Sequence, residues 1–372
     1  TFRLNSADNV IVRYLRCRNG LATQIEMDGS GNSSAEKSAG ISVVNGCTKI
    51  IIDHVSASWG GDKAILLGSN GTYDQNEQTV QRCLLSDSHT MMQLSSQNTA
   101  LYTSNLRGDL SCYLNMFARG GNRTPNIGGT GGYIDVINNV VQSDGSKLGV
   151  LQVILDAKVN WARNWTRYMG AGSSTANGNE FQMNYVDGAY RDDLQLYSKG
   201  NYYKNNSGVI LDGTENIDLN DNLDIWSYRM GPSSIAQDTP MPDNLFTVNT
   251  QFNGIANPPP TRTALEAYTS VVTGRNAGAC HYIKNDGTVG SYIDSWDSDL
   301  FTNLEAETMQ EHGNVSNWIL PSIPNNTRPV GFSTLGDGIE DSWRTANMSG
   351  QNYDDVAPGG YMWIEEFYNQ VD

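Results

Sequence analysis

At 372 residues the chain is long enough for two average domains, but a solenoid that grows by adding coils escapes that rule. Its formal net charge of -16 repels nucleic-acid phosphates and anionic lipid at long range, and no apolar run approaches the ~20 residues needed to span a bilayer. With 38 glycines and only 17% charged residues, the composition describes many turns joining short strands, which favours an all-β architecture.

In chain order, β-branched runs predict strands at 9–18, 49–58, 79–87, 111–119 and 133–142, each followed by a turn and a polar excursion. Their starts lie roughly 22 to 40 residues apart, as when each coil adds one rung and insertions loop out on one side. Alternation sends one side chain into the bore and the next outward, so Asp53 and His54 cannot both face inward. Asn115 and Asn138 fall at equivalent positions and predict an inward stack of amides bonding between rungs. The segments 151–165 and 194–205 read as later rungs, which assigns 1–230 to the coil and 231–372 to a tail packed on it within one structural domain. In that tail, 231–244 and 258–263 are Pro-rich and extended, 263–279 has the spacing of a short capping helix, and 337–343 and 360–370 form local surface structure. Cys17, Cys47, Cys83, Cys112 and Cys280 show neither a CxxC pair nor metal-ligand spacing and are expected mostly as buried small apolar residues.

Several segments together resemble polysaccharide lyase family 1, the pectate lyases, and in particular its compact bacterial members. The motifs are 9-NVIVRYLRCR-18, 52-IDHVSASWGGDK-63, 115-NMFARGGNRTP-125 and 135-DVINNVV-141, followed in matching order by 264-ALEAY-268, 276-NAGA-279 and 337-DGIEDSW-343. The resemblance implies a right-handed parallel β-helix and a secreted lyase acting on an acidic polysaccharide such as pectate. Family members carry further N-terminal coils before the first motif, so the chain is expected to be short at that end. In the family the IDH motif is structural, which excludes His54 from catalysis and leaves Trp59 as core or wall.

A polyuronate lyase removes the proton on C5, beside a carboxylate, and expels the 4-linked sugar. It needs a base at C5 and cations against the charge that builds on the carboxylate. The resemblance implies Arg123, in 123-RTP-125, as the base and His89, in 86-SDSHT-90, near the position of a helper lysine. Because the whole chain is acidic, Lys63, Arg119 and Arg107 are required as a local basic strip acting within about one Debye length, roughly 8–10 Å. Family members also bind calcium through aspartates, but Ala39 and Leu66 stand where two are expected and only Asp62 remains. One carboxylate is a poor site for an ion that takes six to eight oxygens. Calcium is therefore weakly supported, and Lys63 is the candidate replacement charge. A further family arginine is replaced near Asn126 and Gly128, which makes Asn126 a substrate-contacting amide and weakens the case for ordinary homogalacturonan.

Two other classes fit the same scaffold. A non-catalytic carbohydrate-binding or tailspike-like module, virion-borne rather than freely secreted, is favoured by the missing acidic ligands. A glycoside hydrolase would need a carboxylate pair, for which Asp53, Asp62 and Asp87 are available. The partner expected is an acidic polysaccharide, with no nucleic acid and no membrane, bound by a monomer.

Overall fold

Ile50 and Ile52 are fully buried while Ile51 between them is half-buried, the alternation of a strand with one face in an apolar bore. In the computed structural model this pattern recurs through three sheets. The structure describes residues 2–19, 39–60, 63–68, 76–88, 90–94, 109–120, 124–128, 133–143, 151–154, 158–169, 181–184, 195–204, 207–212, 226–229, 236–237, 248–253, 260, 262–308 and 328–371.

Each coil contributes one strand to each sheet. The first sheet runs from Phe2–Asn5 through Ala39–Val44, Lys63–Gly68, Thr90–Leu94 and Asn126–Gly128 to Trp226–Arg229, all parallel, with Ala236–Gln237 added antiparallel at its end. The second sheet contains Asp8–Arg13, Thr48–Asp53, Asn76–Gln81, Leu110–Tyr113, Tyr133–Ile137, Lys158–Ala162 and Gln195–Lys199. The third includes Arg16–Arg18, Ser56–Ser58, Leu84–Ser86, Met116–Gly120, Val140–Ser143, Trp165–Tyr168 and Tyr202–Lys204. This is a right-handed parallel β-helix, and its bore is filled by Ile41, Ile65, Val80, Phe117, Trp161 and their neighbours.

The strands expected at 9–18, 49–58, 79–87, 111–119 and 133–142 are each two strands that turn a corner. Every described passage from second to third sheet takes two residues, the first of them left-handed, with φ between 47° at Arg82 and 69° at Gly200. His54 is such a corner residue (φ 49°), which is why neither it nor the outward Asp53 enters the bore. The second corner residue points inward, and the row reads Leu15, Val55, Cys83, Asn115, Asn139, Asn164, Asn201. The amide stack therefore runs through Asn139. Asn138 occupies the left-handed position (φ 58°) and bonds outward to the carbonyls of Arg163 (3.1 Å) and Arg262 (2.6 Å).

Within the stack, Asn115 donates its main-chain N–H (3.0 Å) and its Nδ2 (2.9 Å) to Asn139 Oδ1. Asn139 repeats both bonds to Asn164 at 2.9 and 3.1 Å, and Asn164 donates its N–H to Asn201 Oδ1 at 2.9 Å. The Nδ2 groups of Asn115, Asn139, Asn164 and Asn201 also reach the carbonyls of Val80, Cys112, Val136 and Trp161. Polar atoms inside an apolar bore are thereby satisfied, and each rung is keyed to the next.

The outer face of the third sheet is covered by the tail. Thr263 caps the helix Ala264–Tyr268 through a capping box with Glu266, and a π-helical turn, Thr269–Thr273, continues it. Ala264, Ala267, Val271 and Val272 pack on Leu84, Met116, Val140 and Trp165, so this helix lies against a sheet face rather than across an end. A second helix, Ser295–Glu305, adds Leu300, Phe301 and Leu304 to the same cluster. Its N-cap, Asp294, and its Asp297 take the Arg18 guanidinium at 3.1 and 2.6 Å, and Asp297 also accepts from Ser56 Oγ at 2.7 Å. Gly278 (φ 78°) passes so close that a Cβ would lie 2.5 Å from Ser56 Oγ.

The segment 337–343 is a structural turn: Asp337 accepts from Ser333 Oγ (2.9 Å) and the Ile339 N–H (3.2 Å) and pairs with Arg344, and the helix Asp341–Asn347 follows. The region 360–370 holds the helix Trp363–Asn369. All five cysteines are free thiols, with Cys47, Cys83, Cys112 and Cys280 buried and Cys17 partly so.

Candidate active site

In the second, third and fourth coils only a few residues of sequence separate a third-sheet strand from the next first-sheet strand. Lys63 opens one first-sheet strand after Ser58, Thr90 opens the next after Ser86, and Thr124 leads into Asn126–Gly128 after Gly120. Lys63 is in register with Ala39 on one side and Thr90 on the other, and Gln93 is in register with Asn126. Asp62, His89 and Arg123 immediately precede Lys63, Thr90 and Thr124 in the sequence; all three lie outside the described residues, as does Arg107. Arg119 lies on the third-sheet strand Met116–Gly120.

Lys63 is only 6% exposed and Asn126 2%, so both stand within the wall of the coil. The Asn126 amide oxygen and the Thr124 hydroxyl are buried without a hydrogen-bond partner among the described residues. They are the polar atoms of this edge that a sugar hydroxyl could satisfy. Among the described residues no group of three or more His, Cys, Asp or Glu is placed to hold a metal ion. Ala39 and Leu66 carry no side-chain oxygen, and Lys63 pairs in register with Ala39.

Arg119 has a different setting from the exposed strip expected of it. It ends its strand in a left-handed conformation (φ 57°), as Trp59 and Asp87 do in earlier coils (56° and 51°), and these residues meet Trp296 of the tail helix. The Arg119 guanidinium lies 4.5 Å from the Trp296 ring centroid, its Nε is 3.4 Å from Asp87 Oδ1, and Trp296 Nε1 donates to Asp87 Oδ2 at 3.1 Å. Trp59 packs on the same indole at 4.6 Å and is fully buried, a wall residue as its motif implied. The clamp between Asp87 and Trp296 carries no sequence motif, and 209 residues separate its members.

Asp53 and His54 are likewise committed to structure. Asp53 Oδ2 accepts from Arg13 Nε at 2.7 Å, His54 Nδ1 lies 3.0 Å from Asp53 Oδ1, and His54 Nε2 pairs with Asn276 Oδ1 at 3.0 Å. The imidazole stacks on Tyr14 at 4.9 Å. Burial pushes the Asp53 carboxyl up, but the hydrogen bond and charge of His54, the charge of Arg13 and the Gln81 amide outweigh it and hold the pKa below the usual carboxylate value. A depressed folded-state pKa means that the stabilisation is complete above about pH 4 and is lost as pH falls through the folded value. Chemical denaturation should therefore separate native protein from Asp53→Asn at about pH 7, and the gap should narrow as pH falls below about 4. Asp53 is engaged by Arg13 and Asp87 by Arg119, so neither of these two candidates stands free for hydrolysis.

No protein-family model matches the chain. Among curated proteins, the probable pectate lyase C of Neosartorya fischeri is 29% identical over 216 residues, which are 57% of this chain and 42% of that protein. The probable pectate lyase C of Aspergillus flavus is 25% identical over 258 residues, 67% of this chain and 52% of the relative. That of Emericella nidulans is 28% identical over 193 residues, 50% and 39% respectively. The chain thus spans about half the length of the relatives it matches. These three are fungal and add nothing to the likeness to compact bacterial members. Three stacked parallel sheets and several relatives of one kind make the chain a pectate lyase-like protein.

Proposed function

We propose that the protein is a secreted lyase that cleaves a uronate-containing polysaccharide by β-elimination at the edge where the third sheet returns to the first. The observation that supports it is the stacking of three strand starts: Lys63, Thr90 and the Thr124–Asn126 segment begin neighbouring strands of one sheet. In the sequence, Asp62, His89 and Arg123 immediately precede those three starts. Arg123 takes the C5 proton, the C–H electrons form the C4–C5 double bond, and the C4–O bond breaks as the leaving oxygen gains a proton. His89 assists that proton transfer, Lys63 and Arg107 offset the charge on the carboxylate, and Asn126 binds a hydroxyl. Arg119, held by Asp87 and Trp296, positions the wall rather than the substrate.

Lys63 takes the part of a divalent cation in this scheme. Elimination should continue in excess chelator and fall about 10²-fold in Lys63→Ala, the scale of losing one electrostatic contact to the transition state. Strict calcium dependence would remove that assignment. The reaction itself is tested on a panel of acidic polysaccharides by following unsaturated ends in the ultraviolet together with reducing ends. Both signals identify a lyase, reducing ends alone a hydrolase, and neither a binding module.

A further inference from the structure

A groove of about 1180 Å³ runs along the outer face of the second sheet, away from the elimination edge. It exceeds the roughly 300–1,000 Å³ of ordinary small-molecule pockets, a size suited to several linked units rather than one. Its floor is one register row from four successive coils: Ile11, Ile51, Thr79 and Ser111. These rungs repeat about every 4.8 Å. Ile11 is 42% exposed, so the apolar end of the floor is open to solvent. The opposite wall comes from the tail, where Tyr282 lies on the strand His281–Ile283 and Tyr368 on the helix Trp363–Asn369. Arg13 Nη1 donating to Asn369 Oδ1 (2.6 Å) and Tyr14 Oη donating to the Val371 carbonyl (2.9 Å) fasten that wall to the sheet.

Tyr282 pairs with Gly290 of the hairpin strand Val289–Ser291. A Cβ at Gly290 would come within 2.7 Å of Tyr282 Cζ, so glycine there lets the ring rest on bare backbone. A half-buried aromatic ring supported from behind, facing an apolar stripe, matches a sugar ring, whose C–H faces are apolar and whose rim carries hydroxyls. Partners for those hydroxyls are present in Asn9, Thr79 and Glu365.

Charge decides which sugar. The cations of the lining are Arg13, Lys49 and Arg328, and its carboxylates are Glu77, Asp109 and Glu365. Arg13 is already neutralised by Asp53 at 2.7 Å. Asp109, in the lining, is pushed up in pKa first by burial and further by the charge of Glu77, against the hydrogen bond it accepts from the Tyr133 N–H. With Arg13 paired, the lining carries two cations, Lys49 and Arg328, against three carboxylates, and within a chain of net charge -16 it offers no excess of positive charge to a polyanion.

We infer that this groove binds an uncharged glycan chain, with Tyr282 as its platform and the row from Ile11 to Ser111 as its track. Such a site would hold the protein to neutral polymer while the acidic one is cut at the other face.

The test uses the native protein, Tyr282→Ala and Thr79→Trp, whose indole fills the floor, each titrated calorimetrically with cellohexaose, xylohexaose, mannohexaose and a galactan hexasaccharide. At least one neutral oligosaccharide should bind the native protein, with Tyr282→Ala weakening it by about 3- to 10-fold and Thr79→Trp abolishing it. Oligogalacturonate should not compete. Absence of binding by the whole neutral panel, equal binding by both variants, or displacement by oligogalacturonate overturns the inference. None of these measurements involves turnover of a uronate chain, so this inference and the lyase reading fail separately.

Discussion

Arg123→Ala should lower the rate of elimination on polygalacturonate by about 10²- to 10⁴-fold, the range over which a positioned proton acceptor contributes. An arginine is an unusual base, because its pKa lies far above working pH and its neutral form is scarce. Deprotonation there requires a local field that favours the neutral form, and a nearby ammonium would have the required sign. Arg123→Lys keeps the charge but loses the planar fork and its reach, so it should restore affinity without restoring turnover. The outcome expected is a collapse of kcat with KM changed much less, and thermal melting like that of the native protein. Arg123→Ala activity within a few-fold of native would sink the assignment and leave a binding module as the better account.

Asn139→Ala is the second large effect, and it falls on stability. Asn139 Oδ1 accepts two bonds from Asn115, and its Nδ2 donates to the carbonyls of Cys112 (2.9 Å) and Ile137 (3.2 Å), all at a fully buried position. Truncation strands the Asn115 donors in the bore, where each unsatisfied group costs about 1–3 kcal/mol. A loss of about 3–5 kcal/mol is expected, at the upper end for a single substitution. Asn138→Ala, one residue away, gives up two bonds on the outer, partly buried side and should cost about 1–2 kcal/mol. Denaturation midpoints of the two variants make the comparison, and equal losses would mean that the stack is not what keys the rungs together.

How far the fold could be read from the chain follows from what each sheet buries. Second-sheet strands are rich in Val and Ile and stand out by composition, as 50-IIID-53 does. First-sheet strands such as 90-TMMQL-94 contain Met, Gln and Thr in place of β-branched runs, and none of that sheet's first five strands was expected. The corners were hidden for a simpler reason. Two residues, the first left-handed, turn the chain without breaking its apolar pattern, so alternation counted across the corner slips by one and selects Asn138 in place of Asn139. At the site, ordered motifs single out Lys63 and Asn126, and both stand at the first position of a first-sheet strand. Burial of Arg119 was not legible, since the indole that covers it arrives from a helix far along the chain.

That helix has a mechanical consequence. Asp297 grips Arg18 and Ser56, and Trp296 reaches Trp59, Asp87 and Arg119, so one short rod is bolted to the first four rungs. A solenoid held only by neighbour contacts frays from its ends like a loosened spring. Splinted in this way, the rungs below the rod must open together or not at all, and their amide hydrogens should exchange as a single block.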